Sequence, residues 1–336
     1  MHTKKIIPLL LICLLFACAN KGATDKKAET EAIKTKNEGQ ALNFNADSAY
    51  TYVANQAAFG PRVPNTDAHK ACGDYLIDEL KRFGAQLFVQ DAILTAYDGT
   101  KLEARNIIGS YNPEQKKRIL LFAHWDSRPY ADEDPDPANH YKHIDGVDDG
   151  ASGVGVLLEI ARQISFNDPA VGIDIIFFDA EDYGEPSFSK TNKEHTWCLG
   201  SQFWAKKPHV PNYRADYGIL LDMVGSKHAT FFKEGYSMYT AAPIVEKIWN
   251  KARDLGYGKF FINAAGSTIT DDHLYVNRGR NIPCVDIIYT SDGQDPHAPN
   301  HGFGPHWHTV GDTMDNIDKA TLKAVGQTVL EIIYNK

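Results

Sequence analysis

The chain has 336 residues, 43% of them hydrophobic, enough for the core of one large α/β domain. Its formal net charge of −8 argues against nucleic acid as a partner.

Lys4-Lys5 precede an apolar run from Ile6 to Ala17 that is too short to span a bilayer, so residues 1–17 read as an export signal. The run closes on Leu15-Phe16-Ala17-Cys18, which is similar to the bacterial lipobox, where the cysteine is lipidated and becomes the new N-terminus. That similarity implies a periplasmic lipoprotein that meets the membrane only through its anchor. Residues 18–42 are rich in Lys, Glu, Ala and Thr without an apolar period and read as a disordered tether. Residues 43–336 contain no linker and read as one catalytic domain. Of five cysteines, Cys72, Cys198 and Cys284 remain after Cys13 and Cys18 are accounted for. They allow at most one disulfide, and buried free thiols are the simpler expectation.

Asn45 or Asp47 caps a first helix that ends at Gly60-Pro61, and a second runs from about Asp67 to Phe83. Strands follow near residues 85–94 and 102–111. The apolar runs 118–123, 171–178, 217–221 and 283–289 have the length and composition of buried strands. Between them, Val154, Leu157, Leu158, Ala161 and Ile164 recur at helical spacing. Pro243 suits the first turn of a helix stopped by Gly256, and Asp318 caps the last one. Alternating strands and helices predict an α/β domain with a mixed, largely parallel sheet.

Three of these strands run out into chemistry. The first ends at His124 and Asp126, the second at Asp179, Glu181 and Asp182, the third at Asp222. Ligands of open α/β sheets bind outside the carboxyl ends of the strands, and Asp, Glu and neutral His are zinc's oxygen and nitrogen ligands. Asp148-Asp149 stand before a helix whose first turn is Gly150, Ala151 and Ser152. One aspartate can cap that helix while the other binds metal. Glu181 and Asp182 are neighbours, so on an extended segment one can ligate while the other faces a substrate. Asp271-Asp272-His273 and Trp307-His308-Thr309 complete the series; any of the neighbouring His297, His301 and His306 can be mere loop surface, and spacing alone does not choose among the four histidines, while the acidic stretch Asp132–Asp136 reads as solvated surface.

In that order, His-x-Asp, Asp-Gly-Ala, Glu-Asp, Asp and a late His, the chain resembles the zinc aminopeptidase superfamily over roughly residues 45–336. Within it, Asp271-Asp272-His273 and Trp307-His308-Thr309 make the chain similar to the animal-type glutaminyl cyclases. The resemblance implies a three-layer αβα, zinc-exopeptidase-like fold. It implies one zinc ion held by Asp149, Asp182 and His308, with Glu181 as general base and Asp222 and Asp271 as a hydrogen-bonded acidic pair. Trp307 becomes a wall for the substrate side chain, and Trp197 fills the place of a second pocket tryptophan. The substrates implied are peptides or proteins with N-terminal glutamine, cyclised to pyroglutamate with loss of ammonia. Asp182 stands where the animal cyclases carry Glu, which brings the ligand's backbone closer. The rival is a two-zinc aminopeptidase using His124, Asp149, Asp182, Asp222 and His308. His124 and Asp126 then stand either on a second metal or behind the ligands.

Overall fold

A computed structural model describes residues 42–191, 193–290 and 302–334. The export signal, Cys18 and nearly all of the tether lie outside the described residues, as do His297 and His301. None of the described helices is long and apolar enough to cross a membrane.

Two helices open the domain, α1 (Ala46–Ala57) and α2 (Asp67–Arg82). Asn45 caps the first by accepting from the backbone N–H groups of Asp47 and Ser48, and Thr66 caps the second. Strands β1 (Gln86–Thr95) and β2 (Lys101–Tyr111) form an antiparallel hairpin. Then come β3 (Arg118–His124), α3 (Ala151–Phe166), β4 (Gly172–Phe178), α4 (Leu199–Lys206) and β5 (Tyr217–Asp222). The chain continues through β6 (Phe231–Lys233), α5 (Gly235–Asp254), β7 (Phe261–Ala265), α6 (Asp272–Arg280), β8 (Cys284–Ile288) and α7 (Lys319–Tyr334).

The main sheet has the order β1-β2-β4-β3-β5-β8. β4, β3, β5 and β8 run parallel, and the hairpin joins antiparallel through β2. β6 and β7 make a small separate pair. Every residue of β3, β4, β5 and β8 is buried, as a sheet covered on both faces requires. Alternate residues divide between the faces. Leu121, Ile175, Ile219 and Val285 enter the larger core with α1, α2, α3, α5 and α7. Leu120, Phe122, Ile176 and Leu220 meet Trp204 of α4 and Val276 of α6 on the other side. The result is the expected three-layer α/β fold.

Five elements differ from the sequence reading. α4, α6, β6 and β7 carry too few periodic apolar residues to stand out. The helix placed at Pro243 begins eight residues earlier, at Gly235. Ala241 breaks it with φ −141°, and Pro243 sits just past the kink, where its missing N–H costs no helical bond. Cys72, Cys198 and Cys284 are all buried and unpaired.

At the edge of the sheet remote from β3's carboxyl end, Arg118 lies over Asp174. Its Nε and Nη2 donate to that carboxylate at 2.7 Å each, and the Tyr213 hydroxyl donates at 2.6 Å. Removing one partner strands the other in the interior. Asp174→Ala is expected to lower unfolding free energy by about 3–5 kcal/mol. Urea denaturation checks this, and a change under 1 kcal/mol would contradict it.

Candidate active site

The carboxyl ends of β3, β4 and β5 deliver His124, the Asp179–Asp182 loop and Asp222 to one place. The turn before α3 adds Asp149, the start of α6 adds Asp271, and the loop before α7 adds His308. All are buried.

The close approach of these segments depends on small residues. Gly150 has φ +93°, and a Cβ there would lie 2.8 Å from the carbonyl of Asp126 and 2.9 Å from the His124 ring. Gly150 is itself the N-cap of α3 and makes no side-chain cap bond, so neither Asp148 nor Asp149 is spent on capping. Asp148 Oδ1 instead accepts the Gly225 N–H at 2.8 Å, tying β5's exit to the turn. Four non-glycine residues here adopt left-handed φ: Ala180 (52°), Cys198 (58°), Met223 (48°) and His308 (53°). Such strain gathers where the fold must aim a side chain.

Two carboxylates hold the chain segments that carry the acids. Asp126 accepts the N–H of Glu181 on one oxygen and that of Asp182 on the other, both at 3.1 Å. Asp312 does the same for Asp148 (2.8 Å) and Asp149 (3.1 Å). Arg128 is fully buried. It donates to both oxygens of Asp132 at 2.5 and 2.8 Å and to the carbonyl of Asp182 at 2.9 Å. The Asp132–Asp136 stretch is therefore solvated surface only at its exposed end, Pro135 and Asp136. Asp132 and Asp134 are buried, Asp134 accepts the Val310 N–H at 3.1 Å, and the Glu133 N–H donates to the His308 carbonyl at 3.2 Å. His306 is likewise buried, 3.6 Å from Asp148.

Asp149 belongs to two groups of donors, each with its atoms within 4.8 Å of one another. In one, His308 Nε2 lies 3.2 Å from Asp182 Oδ1 and 3.6 Å from Asp149 Oδ2. In the other, His124 Nε2 lies 2.9 Å from Asp149 Oδ1 and 3.2 Å from Asp222 Oδ1, the latter a hydrogen bond. The histidines differ electrostatically. Burial, then the Arg128 guanidinium, holds His308 well below the usual imidazole range and so neutral, the form that binds metal. Burial acts the same way on His124, but hydrogen bonding to the carboxylates of Asp126, Asp149 and Asp222 overrides it and raises its pKa.

The Asp149, Asp182 and His308 set fits a zinc ion. Two carboxylates and an imidazole are zinc donors, and buried Asp182 Oδ2 has no hydrogen-bond partner within the protein. Burial and the neighbouring Asp149 push Asp182 well above the usual carboxylate range, a cost that a bound cation relieves.

Beside this set lies a cavity of about 180 Å³, lined by Glu181, Asp222, Asp271, Trp197, Trp307 and Ile269 among others. A larger cleft of about 660 Å³ near Asn65 and Glu103 contains none of these groups. Burial, then relief by His124 and opposition from Asp271, leaves Glu181 well above its usual pKa. Burial pushes Asp222 up to about 6 against the pull of His124. Burial and then the Asp222 charge push Asp271 up to about 7. Trp307 stacks on His308 at 3.8 Å between ring centres, and Trp197 does so from 5.7 Å with Arg128 against its own ring at 4.4 Å. Behind Asp271, His273 lies between Glu234 (3.2 Å) and Asp286 (3.5 Å), a buried group to which the sequence reading gave no role. Asp312, Arg128 and Cys198 were also missed.

The family model of peptidase family M28 matches residues 106–333. A Zn-dependent exopeptidase from Parabacteroides distasonis is 69% identical, with TM-score 0.85, covering 88% of this chain and 99% of its own. A glutaminyl cyclase from Tannerella forsythia is 63% identical, with TM-score 0.85, covering 88% of this chain and 100% of its own. The glutaminyl-peptide cyclotransferase of Bos taurus is 26% identical over 81% of this chain and 79% of its own length.

Asp312 gives its carboxylate to the backbone of the Asp149 turn, so Asp312→Ala should weaken zinc binding by about 10- to 100-fold. Competition against a chromogenic chelator measures this; unchanged affinity would remove Asp312 from the role.

Proposed function

We infer that this chain, which belongs to peptidase family M28, is a glutaminyl-peptide cyclotransferase. Its substrates are peptides and proteins whose N-terminal residue is glutamine, and it holds one zinc ion on Asp149, Asp182 and His308. The observation that carries this reading is the wall of the 180 Å³ cavity, where Glu181 and the Asp222–Asp271 pair converge between two tryptophans. That space suits one side chain folded back on its own amine. The 63% identity to the Tannerella enzyme over its whole length supports the same conclusion.

Bound zinc supplies Lewis-acid polarisation of the side-chain carboxamide carbonyl. The protein's residues supply the rest. Trp307 and Trp197 enclose the aliphatic part of glutamine and exclude water that would compete as nucleophile. Burial and the Asp222 charge favour a proton on Asp271, so Asp271 can donate to the carboxamide nitrogen while Asp222 accepts from the α-amine. Glu181 takes a proton from the α-amine as its nitrogen bonds to the side-chain carbonyl carbon. It then gives that proton to the departing nitrogen as the C–N bond breaks, and ammonia leaves. Nucleophile and electrophile belong to one residue, so orientation supplies much of the acceleration. His124 holds Asp222 and Asp149 in place from behind.

The two-metal reading rests on the second donor group, His124, Asp149 and Asp222. It is disfavoured because His124 is already hydrogen-bonded to Asp222 and the 63% identity over the whole Tannerella chain is to a glutaminyl cyclase. The export signal and Cys18 support a periplasmic enzyme anchored by lipid.

Incubation with a Gln-peptide is expected to release one ammonia per molecule and leave a pyroglutamyl terminus by mass spectrometry; free glutamine as product would refute cyclisation. Glu181→Gln should lower kcat by about 10²- to 10⁴-fold. Metal analysis should give one zinc per chain, and two would restore the aminopeptidase reading. Trp307→Ala should raise KM more than it lowers kcat, as loss of a binding wall does.

A further inference from the structure

Glu181 has three rotatable side-chain bonds, and a base must point at one proton. The structure holds its carboxylate through Cys198. The Cys198 Sγ lies 3.1 Å from Glu181 Oε1 and donates to it. The backbone reinforces the pair. The Cys198 N–H donates to the Glu181 carbonyl at 2.9 Å, and the next N–H, of Leu199, donates to the Ala180 carbonyl at 3.0 Å. These two bonds fix the distance between the segments, so the thiol's reach to the carboxylate is set by the fold.

The local conformation suggests that this thiol is kept for a purpose. Cys198 has φ 58°, a left-handed geometry that glycine adopts freely and a residue with a Cβ does not. It stands at the N-cap of α4 but makes no side-chain cap bond, so the sulfur is not used to start the helix. It is fully buried and in no disulfide. We propose that Cys198 is a positioning residue for the general base: its S–H fixes Oε1 of Glu181 and leaves Oε2 to meet the substrate amine. The kinetic consequence rests on the cyclase reading of Glu181, whereas the S–H bond itself does not.

Glycine at 198 separates this role from a structural one. Cys198→Gly relieves the backbone strain and deletes the donor, so thermal stability should hold or rise while kcat falls about 10- to 100-fold with KM little changed. Cys198→Ser keeps a donor and should recover kcat to within about threefold of wild type. Stability and activity falling together in Cys198→Gly, or wild-type kcat in that variant, overturns the proposal. The infrared S–H stretch provides a readout without turnover. The band lost in Cys198→Ala should lie at low frequency in wild type and move upward in Glu181→Gln. A band indifferent to Glu181→Gln overturns the proposal even if the wild-type protein cyclises no glutamine, and that failure would itself refute the cyclase reading separately.

Discussion

Mutual repulsion among buried carboxylates at one end of the sheet is the constraint that the rest of the site answers. Asp126, Asp148, Asp149, Glu181, Asp182, Asp222, Asp271 and Asp312 are all buried there. Buried charge is tolerated only when paired or hydrogen-bonded. The fold meets this in three ways. Backbone N–H groups go in pairs to Asp126 and Asp312. Arg128 supplies positive charge beside Asp132 and Asp182, and His124 lies against Asp149 and Asp222. The remaining excess is at Asp182, where a cation relieves it, and Asp149 with the neutral His308 completes the donor set.

This arrangement explains why the site is built from turns and not from the strands themselves. A strand delivers one side chain to its end, but Asp126 and Asp312 each grip two consecutive amides, which requires the backbone to bend. The bends are the left-handed residues Ala180, Met223 and His308 and the glycine at 150. Gly150 lets the turn before α3 settle against β3's exit at contact distance. Aim is thus set by the main chain, and side chains inherit it.

Much of this was legible in the sequence because the buried strands are short apolar runs and the acids follow them directly. Ile119–Ala123 before His124 and Ile219–Leu221 before Asp222 are local signals, readable in a handful of residues. What escaped has no local signature. Asp312 acts on amides more than 160 residues away in sequence, and its setting, Gly311-Asp312-Thr313, resembles any loop. Asp132–Asp136 is acidic enough to pass for surface until Arg128 and Val310 are seen to bind it. Cys198 is one cysteine in a glycine- and aromatic-bearing stretch, and only the approach of β4's exit gives its sulfur a partner. α6, with the polar sequence DHLYVNRGR, lacks a clear apolar face and so did not announce itself as a helix.

The stacking around His308 has an optical consequence. Of five tryptophans in the chain, Trp125, Trp204 and Trp249 are buried in the body of the domain, whereas Trp197 and Trp307 lie against the imidazole that completes the donor set. An indole's emission responds to the charge and polarity beside it. Two of the protein's native fluorophores therefore stack on the imidazole of the candidate donor set, so a cation bound there is expected to change their share of the emission without a dye or a label.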